Sequence, residues 1–542
     1  MSTVPSVANE PILTYAPGSP ERTAIREALT QLRSEQPEVS LVIGGKELRT
    51  GDVREQHEPQ LRERTCATWH AAGPAEAAQA IDAALAARHE WSSWTLADRS
   101  AVLLRAADLL AGPWRARVNA ATMIGQGKTI REAEIDAAAE LADFWRFNVF
   151  FAEQLSEMQP ISPSGFRNRL ELRDLEGFVY AVTPFNFTAI GGNLSTAPAL
   201  MGNTVVWKPS KTAMLSNWFV FQILREAGLP DGVINFVPGD PEAITQVCLD
   251  HPEFAGVHFT GSSAVFRSLF REVGERIDRY RGYPRLVGET GGKDFVFMHS
   301  SADPQAVAVG LVRGSFEYQG QKCSAASRAY IPDTQWPEVR DHALALVEEI
   351  RQGDPADLTT FMGAVIDERA FARLRDAFDM AEGSANAKIL CGGGVDDSVG
   401  WFVEPTIIET SDPHYDTMER ELFGPCLTVY PYPEARYAET LELCDSTSPY
   451  ALTGSIFARD RAAIALAHEK LRNSAGNFYV NDKPTGAVVA QQPFGGGRAS
   501  GTNDKAGWSN NLMRWSSPRT VKETSVSPLE IGYPHMEPDS PS

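Results

Sequence analysis

Between Phe178 and Met298 short apolar runs alternate with longer stretches of helical spacing. F-V-Y-A-V, N-T-V-V-W-K, G-V-I-N-F-V and G-V-H-F-T read as strands, and the stretches near 212–227, 241–249 and 263–276 read as helices. That rhythm predicts βαβ units, hence a parallel sheet covered on both faces. A second α/β series occupies about 300–480. It begins with a helix over 303–319 and continues through S-R-A-Y-I-P, helices at 335–351 and 367–383, A-K-I-L-C, T-V-Y-P-Y, a helix at 459–473 and G-N-F-Y-V-N. Ahead of both series, residues 1–40 start proline-rich and turn helical around Glu21–Gln36, as an extension wrapped on the domain with a loose beginning. S-L-V-I-G-G-K-E-L predicts a strand and turn. Alanine-rich helices follow at 73–90, 97–111 and 113–151 (the last with breaks), and their alanine and leucine stripes read as packing faces.

The segment 166–182 alternates charged and apolar residues around D-L-E-G, which predicts a β-hairpin. It would bury little by itself and so add to a sheet elsewhere, across a subunit interface. After Asn503 the chain is irregular, then strand-like at S-S-P-R-T-V-K-E-T, and ends in a polar tail. The expected division is 1–40 extension, 41–165 with 183–300 first α/β domain, 301–502 second α/β domain, and 166–182 with 503–542 a separate strand element and tail.

Composition narrows the partners. The 542 residues carry a net charge of −20, without a sustained basic stripe, which disfavours nucleic acid and anionic membrane. Six cysteines form no C-x-x-C and no zinc-like cluster, so a reduced protein without a metal is expected. No apolar run approaches a membrane span. The first residues lack a signal or transit pattern, and the cytoplasm is the expected location.

The candidate chemistry centres on G-Q-K-C-S-A-A-S-R. Cys323 follows Gly320, Gln321 and Lys322 and precedes small residues, as for a thiol presented on an open loop or at a helix start, where N–H groups favour the thiolate. A solitary cysteine is more often a small core filler. Two other stretches change that weighting. V-G-E-T-G-G-K-D places Glu289 before paired glycines, and A-V-T-P-F-N-F offers Asn186. Cysteine, carboxylate and side-chain amide supply a nucleophile, a base and an oxyanion donor. No G-x-G-x-x-G follows a strand. Instead H-F-T-G-S puts Gly261 and Ser262 at a helix start, where N–H groups could hold a pyrophosphate. V-V-W-K-P-S puts Lys208 past a strand's carboxyl end, where ligands of open parallel sheets bind.

Together with E-L-F-G-P and P-F-G-G, these motifs resemble the aldehyde dehydrogenase superfamily from about residue 40 to 525. The resemblance implies an α/β fold: a Rossmann-like parallel-sheet cofactor domain, an α/β catalytic domain and a β-hairpin oligomerisation element. It implies NAD as cofactor, with Lys208 and Ser210 near the adenine ribose, Gly261 and Ser262 near the pyrophosphate, Glu421 on the nicotinamide ribose and Phe423 near the ring. Two positions depart from the common pattern. Lys211 stands where many members have a glutamate, so NAD is expected over NADP only as a preference. Phe266 stands where many have glycine.

Q-Q-P-F-G-G-G-R-A-S-G-T-N-D-K and K-P-T-G-A-V-V-A further resemble the Δ1-pyrroline-5-carboxylate dehydrogenase branch, which oxidises L-glutamate γ-semialdehyde in the second step of proline catabolism. The branch implies that Ser324, Gly486 and Ala487 hold the substrate's amino-acid end and that Phe187 and Phe494 wall it. With no proline-oxidising segment read before residue 40, a separate proline dehydrogenase is expected as the supplier and a transient partner, and a homodimer or higher homo-oligomer is expected. The alternatives are another semialdehyde or broad aliphatic aldehyde dehydrogenase, a catalytically silent member, and a cysteine hydrolase. The last would need a histidine beside the thiol, and none of the ten histidines lies in such a motif.

Overall fold

The computed structural model describes residues 7–539; the outermost parts of the expected extension and tail, residues 1–6 and 540–542, lie outside the described residues. Two seven-stranded sheets organise the chain. In the first, Phe178–Val182, Thr204–Lys208, Ile234–Phe236, Phe254–Thr260 and Arg285–Glu289 run parallel, and Leu41–Ile43 with Lys46–Leu48 closes one edge antiparallel. Every residue of Phe254–Thr260 and Thr204–Lys208 is buried, as expected for strands covered by helices on both faces. Strand order reverses beside Phe178–Val182: the chain steps one way to Thr204–Lys208, then returns to Phe254–Thr260 on the other side. The carboxyl ends at such a reversal diverge and leave a crevice. Asn186 lies just beyond one of these ends and Gly261 beyond the other.

The second sheet has the order Ala387–Cys391, Thr406–Thr410, Cys426–Tyr432, Ala326–Pro332, Asp294–Met298, Thr453–Phe457, Asn477–Val480, parallel except for the first strand. Asp294–Met298 thus belongs here and not to the first series, whose expected extent was 178–300. The paired glycines Gly291 and Gly292 carry the chain from one sheet to the other.

The expected hairpin over 166–182 is replaced by two strands in different sheets. Phe166–Arg173 pairs antiparallel with Ser517–Thr524 as a separate ribbon, and Phe178–Val182 is central in the first sheet. The physical reason lies in D-L-E-G. Asp174 accepts the Arg88 guanidinium at 2.8 Å, and Gly177, at φ 130°, lets the chain pass the Glu253 carbonyl, which would meet a Cβ at 1.9 Å. The turn-like residues admit a strand past another backbone; they do not reverse the chain.

The alanine-rich helices appear at Pro74–Ser93, Leu96–Ala111, Arg115–Gln126 and Leu141–Glu157. Between the last two, Glu134–Glu140 forms a π-helical turn, with Glu134 and Asp136 buried. Among the described residues no helix is long and apolar enough to cross a membrane.

Candidate active site

Cys323 stands in a turn between a short 3₁₀ segment, Glu317–Gly320, and the strand Ala326–Pro332. No helix begins there, so the expected help of a helix N-terminus toward the thiolate is absent. The turn follows three left-handed residues in succession: Tyr318 at φ 52°, Gln319 at 54° and Gly320 at 64°. For the two non-glycines this conformation is costly unless the surroundings hold it. The buried Gln319 amide does so, donating to Gly127 O at 2.9 Å and Ala364 O at 2.8 Å.

Burial pushes the Cys323 thiol well above its usual range, reinforced by the Asp294, Glu289 and Glu421 carboxyls. The resting sulfur is therefore a thiol, and its proton needs an acceptor. Glu289 ends the strand Arg285–Glu289 and lines the same cavity of about 120 Å³ as Cys323. Burial lifts its carboxyl well above the usual range, with Lys505 opposing and Asp504 adding to the rise. Its Oε2 is buried without a partner. A carboxyl held this way takes and keeps a proton more readily than an ordinary glutamate.

Asn186 is buried, and its amide donates to Gln321 O at 3.1 Å, which ties it to the cysteine turn. Just behind it, Asp136 on the π-turn accepts the Thr188 and Ala189 N–H groups at 3.0 and 2.9 Å and pairs with the buried Lys128 at 2.8 Å. Lys128 in turn lies over the Phe187 ring at 3.9 Å.

Ser324, Gly486, Ala487, Phe187 and Phe494 all line the cavity with Cys323. Ser324 Oγ is paired with Thr485 Oγ1 at 2.8 Å. Gly486 is at φ 97°, which a side chain would strain. Four polar neighbours went unread in the sequence: Thr485, Glu140, and the pair Lys322 and Glu132, joined at 2.8 Å, all at this cavity. Burial, and Asp136 nearby, push the Glu140 carboxyl well up. The signal was present, since Glu132, Asp136 and Glu140 recur every fourth position on a face read as packing, and carboxylates are rarely buried there without a role. His258 also lines the cavity. Its Nδ1 meets Leu194 O at 3.0 Å, and burial lowers it to about 3, so it is a poor base for a hydrolase.

Of the expected cofactor residues, Lys208, Ser210, Gly261 and Ser262 lie at the carboxyl ends of two strands of the first sheet, and Glu421 lies at the crossing between the sheets. Gly261 N donates to Glu289 O at 3.2 Å, joining the phosphate-type turn to the strand that carries the base. Ser262 caps the helix Ser263–Glu275, its Oγ accepting from Val265 N at 3.3 Å. Lys208 ends its strand; burial first, and Lys211 nearby, lower its ammonium to about 8, against a raising effect of Asp240. Ser210 follows it, hydroxyl to hydroxyl with Thr212 at 3.3 Å. Glu421 Oε1 accepts Gly292 N–H at 2.8 Å, at the crossing between the sheets. Phe423, at φ 53°, sets its ring edge-on to Phe185 at 5.8 Å. Phe266 is core: it stacks on Phe259 and covers Gly288, where a Cβ would meet its ring at 2.2 Å. The cradle fits a dinucleotide: a capped helix start at the reversal point, a buried lysine with no carboxylate partner in contact among the described residues, and a carboxylate with one oxygen not engaged by Gly292.

The aldehyde dehydrogenase family profile matches residues 49–521. The mitochondrial delta-1-pyrroline-5-carboxylate dehydrogenase of Dictyostelium discoideum is 51% identical over 536 residues, covering 98% of this chain and 96% of that protein. That of Mus musculus is 52% identical over 532 residues, covering 98% and 95%. Among solved structures, the delta-pyrroline-5-carboxylate dehydrogenase from Mycobacterium tuberculosis bound with NAD superposes with a TM-score of 0.96 at 52% identity over 99% of both chains. The expected cytoplasmic location is overturned by the relatives' names: both curated proteins are mitochondrial, and the leader-free reading behind the expectation decides nothing about compartment.

Proposed function

The chain belongs to the aldehyde dehydrogenase family, and we propose that it oxidises L-glutamate γ-semialdehyde, the open form of Δ1-pyrroline-5-carboxylate, to L-glutamate with NAD. The observation that carries this reading is the cavity itself, which brings the Cys323 thiol, the Glu289 carboxyl and the Ser324–Thr485–Gly486–Ala487 wall to one space. Whole-length identity of about half to enzymes of that name supports the substrate.

The first sheet serves the cofactor and the second presents the nucleophile. Lys208 and Ser210 would hold the adenine ribose, the helix start at Gly261 and Ser262 the pyrophosphate, and Glu421 and Phe423 the nicotinamide end. NAD, when bound, supplies the hydride acceptor. Cys323 Sγ bonds to the aldehyde carbon as its proton passes to solvent, and charge gathers on the former carbonyl oxygen. The Asn186 amide and the Cys323 N–H steady that oxygen, a role that contributes roughly 3–4 kcal/mol per donor. Oxidation leaves a thioester on Cys323. Glu289 then takes a proton from a water molecule, the hydroxyl adds to the thioester carbon, the C–S bond breaks, and the carboxylic acid departs as the thiol regains a proton.

At the far end of the cavity, Ser324 and the exposed N–H groups of Gly486 and Ala487 take the α-carboxylate. Glu140 faces the same space and suits the α-ammonium. The working molecule is a homo-oligomer built through the Phe166–Arg173 ribbon, and a separate proline dehydrogenase, met transiently, supplies its substrate.

NADH formation with pyrroline-5-carboxylate, compared with propionaldehyde and succinate semialdehyde, tests the substrate. We expect kcat/KM to favour pyrroline-5-carboxylate by at least ~100-fold, about 2.7 kcal/mol. Equal rates with aldehydes lacking the α-amino acid end would overturn the assignment in favour of a broad aldehyde dehydrogenase.

A further inference from the structure

The strap at the start of the described chain holds a wall of the substrate cavity far away in sequence. Asn9 spends its whole side chain on this contact. Its Nδ2 donates to Asp143 Oδ2 at 2.8 Å and to Val489 O at 3.0 Å, and its Oδ1 accepts from Gln491 Nε2 at 2.9 Å. One amide therefore clasps the helix Leu141–Glu157 to the loop that carries Gly486 and Ala487. Both clasped segments line the cavity, through Phe144 beside Asp143 and through Val488 and Val489.

Two features make the clasp more than surface tidying. Ala490, between the two loop residues that Asn9 engages, sits at φ 67°. A non-glycine residue keeps that conformation only where its neighbours are fixed. The strap is also anchored independently of Asn9. Glu10 N donates to Asp143 Oδ1 at 2.7 Å, and the Glu10 carboxylate pairs with Arg115 and Arg146, each at 2.6 Å. Leu13 N and the Tyr15 hydroxyl reach Glu134 at 2.8 and 2.7 Å. Removing the Asn9 amide would leave the strap seated and free the loop alone.

We propose that Asn9 is a positioning residue for substrate selection: it fixes the loop 485–492 so that the Gly486 and Ala487 N–H groups face the amino-acid end of the substrate. Asn9 touches neither substrate nor cofactor, and acts through Val489 and Gln491. The inference rests on the reading of that loop as the carboxylate holder, so the experiment separates the two.

Wild type is assayed first with pyrroline-5-carboxylate and with propionaldehyde; failure to discriminate there sinks the substrate reading and not the clasp. Asn9→Ala in the full chain should then raise KM for pyrroline-5-carboxylate about tenfold with kcat within about twofold, and leave kcat/KM for propionaldehyde within about twofold. Gln491→Ala, outside the strap and missing one of the three bonds, should shift KM in the same direction by less. A merely structural clasp would lower both substrates' rates together with the melting temperature. That outcome, or an unchanged KM in both variants, would overturn the proposal.

Discussion

Glu289 combines two properties that rarely meet in one carboxyl: it is buried enough to be pushed well above its usual range, and one of its oxygens has no partner. As the base for thioester hydrolysis it must be ionised, so deacylation falls as pH drops through that raised value. The acid limb of steady-state turnover should therefore lie above the ordinary glutamate range near 4.3. Glu289→Gln cannot take the proton from water at any pH. We expect a burst of about one NADH per active site, then turnover slower by roughly 10²-fold or more, with the acid limb gone. A variant that shows no burst and slow first turnover would place Glu289 before oxidation, on the thiol proton alone. Glu289, Cys323 and Asn186 were legible in the sequence because each sits in a short context that favours exposure of one functional group. Thr485, Lys322 and Glu140 were not. Their place at the cavity comes from meeting in space across segments far apart in the chain, and Glu140 hides among alanines whose period reads as packing.

Elements were legible where the pattern had one interpretation. The buried runs Thr204–Lys208 and Phe254–Thr260, and the helix after Ser262, follow from burial on both faces and from a capping hydroxyl. The hairpin was misread because Gly177 serves a close backbone approach instead of a turn. The turn bearing Cys323 agrees with the open-loop alternative and not with the helix start, and its shape was not legible because three left-handed residues, two of them not glycine, are stabilised by distant carbonyls that no local rule contains. The loop 485–492 lies between these cases: its small residues pointed to exposed N–H groups, but its fixed shape depends on contacts from elsewhere. Ala487 is only half-buried and lines the cavity. Ala487→Leu should fill the space a carboxylate would occupy and lower kcat/KM for pyrroline-5-carboxylate by at least ~100-fold, about 2.7 kcal/mol. Propionaldehyde, which needs none of those donors, should lose far less. Equal losses would make the loop a scaffold and remove the physical basis of the substrate assignment.

At the scale of the whole molecule, one feature is only partly covered among the described residues, although Leu172 packs against the core. The ribbon of Phe166–Arg173 with Ser517–Thr524 is two strands wide, and such a ribbon is at best marginal unless something covers a face. Alternation puts Phe166, Leu170 and Leu172 on one face, while Arg169 and Glu171 on the other pair across the strands with Glu523 and Arg519. Beyond the ribbon, Val526, Leu529 and Ile531 are 81%, 96% and 94% exposed, more apolar surface than scattered residues explain. The same sequence feature, charged and apolar residues in alternation, is the ground for expecting an oligomerisation element, and that expectation does not depend on the hairpin. A second copy of the chain is the proposed partner for such a self-presenting apolar face. Leu170→Asp places a charge on that face without touching the cavity or either seven-stranded sheet. Light scattering should show the wild type at twice the chain mass or more and the variant shifted toward the single chain at micromolar concentration, with far-ultraviolet circular dichroism unchanged. A wild type that already runs as a single chain, or a variant that keeps its mass, would mean that the ribbon is covered by nothing of its own kind.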